Sequence, residues 1–125
     1  MKKLTILLFS ILISFNSYGE WTKVVKDTDG DITYIDTDTI KENNGYIYHW
    51  QLVEFSTPFF GYKSSQAYLK VDCGINRVKV LSMLAYKQSM ANGDEKDLGG
   101  YDEWNYAKPN DVSTISLNYA CNYVK

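Results

Sequence analysis

From Glu20 onward, apolar and polar residues alternate in short runs divided by turn-forming pairs, the period-two pattern of strands with one buried face. Glu20 to Lys26 predicts a first strand carrying Trp21 and Val24. Asp29-Gly30 predicts a hairpin turn into a second strand, Ile32 to Asp36. Thr37 to Glu42 is a short connector with room for one helical turn. Asn44-Gly45 then turns the chain into a long strand, Tyr46 to Phe55. Ser56 to Lys63 reads as a loop containing Pro58 and Gly61. Ser65 to Cys73 resumes the alternation, with Ala67, Leu69, Val71 and Cys73 on one face. After a turn at Gly74-Ile75-Asn76, Arg77 to Met90 places Val78, Val80, Leu84 and Tyr86 on one side. Asn92-Gly93 is a third turn signal. Asp94 to Pro109 is mixed, with Gly99-Gly100 at its centre.

The last segment obeys two periods at once. Ile115, Leu117, Tyr119, Cys121 and Tyr123 alternate as in a strand. Val112, Ile115 and Tyr119 also share one side of a helix that Asn110 or Asp111 would cap after Pro109. Periodicity leaves both forms open.

Ahead of these elements, Lys2 and Lys3 precede an apolar run from Leu4 to Phe15, and Ser17-Tyr18-Gly19 sets small residues at its end. That is a secretory signal peptide over residues 1–19, with cleavage expected between Gly19 and Glu20. The run is shorter than the roughly 20 apolar residues of a membrane span. Neither cysteine lies near the cleavage site to carry a lipid. The expected product is an exported domain over residues 20–125, periplasmic or secreted, with no internal repeat or low-complexity linker.

Export gives the two cysteines a meaning. In an oxidising compartment Cys73 and Cys121 are expected to pair, and the loop they close contributes roughly 4 kcal/mol in the loop-entropy model. Two cysteines fall short of the four ligands of a structural zinc site. A terminal element lying across the Ala67–Cys73 face would bring Cys121 to Cys73. Losing Lys2 and Lys3 with the leader takes the formal charge from −2 to −4, since all 15 acidic residues follow it. A mildly acidic chain with scattered lysines lacks the basic stripe of nucleic-acid binding.

Catalytic signatures are thin. No G-x-S-x-G, H-E-x-x-H or phosphate-binding glycine loop is present, which predicts a protein that is not an enzyme and carries no cofactor. The one histidine, His49, sits mid-strand and reads as facing solvent or a cross-strand neighbour. Asp27, Asp29 and Asp31 suggest calcium, but an EF-hand loop starting at Asp27 would need glycine and glutamate where Ile32 and Asp38 stand. A hairpin turn with solvated aspartates is the better account. Aromatic residues are the surplus. Phe59, Phe60 and Tyr62 crowd one loop, and Tyr101, Trp104 and Tyr106 crowd another. Such loops either cap a core or form an exposed patch for protein binding.

The order Glu20-Trp21-Thr22-Lys23-Val24, Tyr34-Ile35-Asp36, Thr39-Ile40, Lys63-Ser64-Ser65, Val71-Asp72-Cys73 with Arg77, Trp104 ahead of Pro109, and Cys121 resembles the surface-adhesin protein E family. The resemblance covers nearly all of residues 20–125. It implies an α+β fold: a single antiparallel β-sheet with a C-terminal helix tethered by one disulfide, Cys73 to Cys121. It also implies an adhesin-like role at the cell surface, with extracellular host proteins, such as those of the matrix, as partners. On that pattern Trp21, Asp36, Cys73, Trp104 and Cys121 keep the fold. The expectation is a binding module that engages a protein through Phe59, Phe60, Tyr62, Tyr101, Trp104 and Tyr106 or a sheet edge. The alternative is a periplasmic small-molecule-binding module using the sheet beneath the terminal helix.

Overall fold

Turn chemistry and alternation together set up a sheet in which every paired strand is antiparallel. The computed structural model describes residues 21–124, and the expected signal peptide with its cleavage site lies outside the described residues. The strands are β1 (Trp21–Lys26), β2 (Ile32–Asp36), β3 (Lys41–Asn43), β4 (Tyr46–Phe59), β5 (Tyr62–Asp72), β6 (Arg77–Gln88), β7 (Asn92–Gly99) and β8 (Asn105–Tyr106). A 3-10 turn, Thr37–Thr39, precedes β3, and the helix α1 (Val112–Tyr123) follows β8. Their order in space is β1-β2-β4-β5-β6-β7; β3 pairs with β4, and β8 with β6. Neighbours in sequence are mostly neighbours in space because short turns join them. Asn44 and Gly45 both have positive φ, 53° and 86°, the type I′ arrangement that asparagine and glycine adopt readily. Asp36 carries its share of the folding expected of it: buried, it accepts the Asp38 N–H and caps the 3-10 turn.

α1 packs on one face of the sheet. Ile35 of β2, Ile47 of β4, and Ala67, Leu69 and Val71 of β5 form the core with Leu117 and Ala120 of the helix. Ile47 pairs with Val71, and His49 pairs with Leu69, so the inward positions of neighbouring strands coincide. The disulfide joins Cys73, just past β5, to Cys121 with Cα atoms 6.0 Å apart. This is the tethered helix on an antiparallel sheet that the family resemblance implied.

Several local expectations change. The terminal segment, open between strand and helix by periodicity, is the helix that the resemblance implied, and of its two candidate caps Asp111 accepts the Val112 N–H. Its fully buried residues are Ser116, Leu117 and Ala120; of the three residues expected on one side, Val112 and Tyr119 are half-buried, Tyr119 against the core, whereas Ile115 is 45% exposed. Cys121 must face Cys73, and Leu117, one turn earlier on the same side, is thereby turned onto the sheet. In β6, Val80 pairs with Leu69 and Ser82 with Tyr68, leaving Leu81 as an extra residue. That bulge reverses the faces, so Val78 and Val80 point toward the helix while Leu84 and Tyr86 share the far side with Gln66. The Asp94–Gly99 stretch, mixed in sequence, is part of the edge strand β7. Its polar and charged residues suit an edge, since they discourage pairing with another chain.

Candidate binding surfaces

The expected loop at Ser56–Lys63 is the end of a long hairpin. β4 continues to Phe59 and β5 begins at Tyr62, joined by Phe60-Gly61. Pro58 is accommodated because pairing skips from Glu54–Ser64 to Phe59–Tyr62, and the unpaired residues between need no ladder donor. Gly61 at φ 82° suits this turn, but Phe60 at φ 50° does not, since a bulky L-residue there is crowded. Phe60 is nonetheless 83% exposed, and Phe59 is 61% exposed. The two rings meet edge to face at 4.6 Å, and Phe55 lies 5.9 Å from Phe59. Tyr62 is half-buried, with Lys87 Nζ 4.3 Å from its ring centre. Behind the tip these rings, with Met83, Ala85 and Leu98, line a groove of about 700 Å³. Asp31 and Lys96 supply polar groups at the same groove.

The second aromatic group belongs to a different surface. Trp104 is half-buried and stacks on Tyr46 at 5.8 Å. Arg77, Lys79 and Lys70 crowd its ring at 4.1, 4.9 and 5.7 Å. Arg77 is held by Asp72 at 2.9 Å, and Lys79 by Asp102 at 3.2 Å. These contacts latch the strand-poor stretch around Trp104 to the sheet face opposite α1. Tyr101 and Tyr106 remain 53% and 63% exposed on either side of that latch. The six aromatics singled out in the sequence are thus two groups of three, not one patch.

Sequence reasoning missed the burial of His49. The residue is 1% exposed and faces the helix side rather than solvent. Burial pushes its imidazole below the usual histidine range, and the Trp50 carbonyl oxygen, 3.4 Å from Nδ1, offsets this only in part. The unfolded chain takes up a proton near pH 6.5 while the folded chain resists it, so acid favours unfolding. Stability is expected to hold above about pH 6.5 and to fall as pH drops below it. Melting curves of wild type and His49→Gln between pH 7.5 and pH 5 test this. The wild type should lose more stability than the variant, and parallel profiles would refute the assignment.

The aspartate turn is built as a turn. Asp27 accepts the N–H groups of Asp29 and Asp31 at 2.9 and 3.0 Å, and Asp31 accepts that of Ser56 at 2.8 Å. Among the described residues, no three His, Cys, Asp or Glu side chains gather as a metal-holding group. Among the same residues, no helix is long and apolar enough to cross a membrane.

Comparison with solved structures finds Haemophilus influenzae protein E. Its crystal form II matches with TM-score 0.69 and 15% identity over 84% of this chain and 90% of that chain. A second structure of the same protein matches with TM-score 0.66 and 15% identity over 82% and 85%. Protein E from non-typeable Haemophilus influenzae matches with TM-score 0.62 and 14% identity over 83% and 77%. At such identities the likeness establishes a shared fold. No curated protein matches in sequence. The sequence model of the family described as Surface-adhesin protein E, however, matches residues 21–122, the sheet, the disulfide and the helix together, and the chain belongs to that family.

Proposed function

We propose that this chain is an exported, non-enzymatic, adhesin-like module that captures a protein partner through the Phe59–Phe60 tip and the groove behind it. The observation that carries this reading is Phe60: a large apolar side chain, 83% exposed, at a positive φ that its own bulk disfavours. A left-handed conformation costs an L-residue about 1–2 kcal/mol, and the ring, whose one aromatic contact is with the likewise exposed Phe59, covers little surface in return. Strain and exposed apolar surface coinciding at one hairpin tip fit recognition better than folding. The Phe55, Phe59 and Phe60 rings, packed edge to face and tilted on one another, supply an anchor already ordered before contact. Tyr101 and Tyr106 supply a second contact away from the tip, with Trp104 positioning them. Membership of an adhesin family supports a partner at or beyond the cell surface, such as an extracellular-matrix protein of a host.

Phe60→Asn tests this reading because it changes folding and binding in opposite directions. Asparagine fits the turn, as Asn44 does in the β3–β4 hairpin, so the variant should be more stable by about 1 kcal/mol. Together with Phe59→Ala it should weaken capture of matrix or envelope proteins at least tenfold, measured by surface plasmon resonance. Unchanged capture by a folded double variant would overturn the proposal.

A further inference from the structure

Between α1 and the sheet, beside the Asp27–Asp31 turn, lies a cavity of about 280 Å³. Its walls are aliphatic: Val53, Leu69, Val71 and Val78 from the sheet, Val112 and Leu117 from the helix. Thr33, Gln51 and Ser113 also line it, and two further polar side chains are buried in its walls. Ser116 is 6% exposed, and its hydroxyl has no hydrogen-bond partner among the described residues. His49 is 1% exposed, and its one side-chain hydrogen bond among the described residues, between Nδ1 and the Trp50 carbonyl oxygen, is 3.4 Å long. Buried polar groups are as a rule partnered, and a ligand that partners them removes the penalty of leaving them bare.

Charge at the cavity selects the sign of such a ligand. Its lining contains no lysine or arginine, whereas Asp27 and Asp31 are both part of it, each with one carboxylate oxygen engaged by backbone N–H groups and the other in no hydrogen bond among the described residues. Neither carboxylate is in a salt bridge among the described residues. The N-terminal end of α1 does not compensate, because Asp111 already accepts the N–H groups of Val112, Thr114 and Ile115. An anion would therefore meet two carboxylates and an occupied helix end. A cation meets an attractive rim, and an apolar body behind it meets aliphatic walls.

We propose that this cavity binds a small amine that carries a hydroxyl group on a compact apolar body. The ammonium lies at Asp27 and Asp31, the body lies against the valines, and the hydroxyl reaches Ser116 and His49. A volume of about 280 Å³ limits the ligand to a single ring or a short chain. The cavity shares only Asp31 with the groove behind the Phe59–Phe60 tip, and Asp27, His49 and Ser116 belong to it alone, so capture through the tip and amine binding are tested by different substitutions.

Tyramine is a suitable probe, with phenethylamine lacking the hydroxyl and 3-(4-hydroxyphenyl)propanoate carrying the opposite charge. In NMR titrations of the disulfide-intact chain, tyramine should give saturable shifts at Thr33, His49, Gln51 and Ser116. Phenethylamine should bind about tenfold more weakly, and the propanoate should not saturate. The double change Asp27→Asn, Asp31→Asn keeps the turn's acceptor oxygens and removes the charge, and should weaken tyramine at least tenfold. Ser116→Leu, which fills the cavity, should abolish the shifts. Absence of saturation by tyramine, equal binding of the propanoate, or undiminished binding by a folded aspartate or Ser116→Leu variant would overturn the proposal.

Discussion

Replacing Cys73 and Cys121 together by serine should cost the domain about 4 kcal/mol, a large share of the roughly 5–15 kcal/mol that holds most domains folded. The bridge closes a loop of 48 positions, which spans β6, β7, β8 and most of α1. Without it the unfolded chain regains the freedom of that whole loop. The helix has little else to hold it at its end. Only Ser116, Leu117 and Ala120 are buried in α1, whereas Tyr123 and Val124 are 51% and 41% exposed. A 12-residue helix is marginal on its own, so its persistence depends on being held against the sheet. For a domain of this size the loss corresponds to a fall of about 20 °C in Tm. Thermal melts of the double variant, compared with wild type in the presence and absence of reductant, measure it. A loss below about 1 kcal/mol would show that packing alone keeps α1 in place, contrary to the loop-entropy account.

Gly100→Ala should be nearly as damaging, by about 3 kcal/mol, through a different cause. A methyl at this position would stand 2.2 Å from the Leu81 carbonyl oxygen and 2.7 Å from its carbon. The obstacle is backbone, in the bulged stretch of β6, so no side-chain rotation relieves it. The chain must separate there, and separation breaks the 2.8 Å bond from the Tyr101 N–H to the Val80 carbonyl. The latch around Trp104 follows directly after that bond, so its stacking on Tyr46 should loosen as well. Gly99 is the natural control. It has φ 74° but nothing within 4 Å of an added methyl, so Gly99→Ala should cost only the strain of a left-handed residue, about 1–2 kcal/mol. Urea denaturation followed by tryptophan fluorescence ranks the two. If Gly100→Ala proves no worse than Gly99→Ala, close approach to β6 is not the reason for glycine.

Local chemistry is what residue order alone makes legible. Asn44-Gly45 announces its turn because those two residues tolerate positive φ, and the alternation of Ala67, Leu69, Val71 and Cys73 marks one buried face whatever covers it. Leader, cysteine pair and family resemblance likewise depend on residue order. The Phe59–Tyr62 stretch was harder, since Pro58 and Gly61 signal a loop unless the skipped pairing that tolerates the proline is known. Trp104 offered no cue that it would stack on Tyr46, 58 positions earlier, among three cations.

By itself, the order of residues determined strands, turns and the chemistry available for a covalent tether. Tertiary packing decided which of two legitimate periods the terminal segment follows, because capping by Asp111 and the pull of Cys73 on Cys121 act only once sheet and tail are together. It also decided that His49 is buried, that the bulge at Leu81 divides Val80 from Leu84, and that six aromatics form two surfaces. Each of these is a matter of rotation or register about a distant partner, and a one-residue shift in either reverses which side chains are covered.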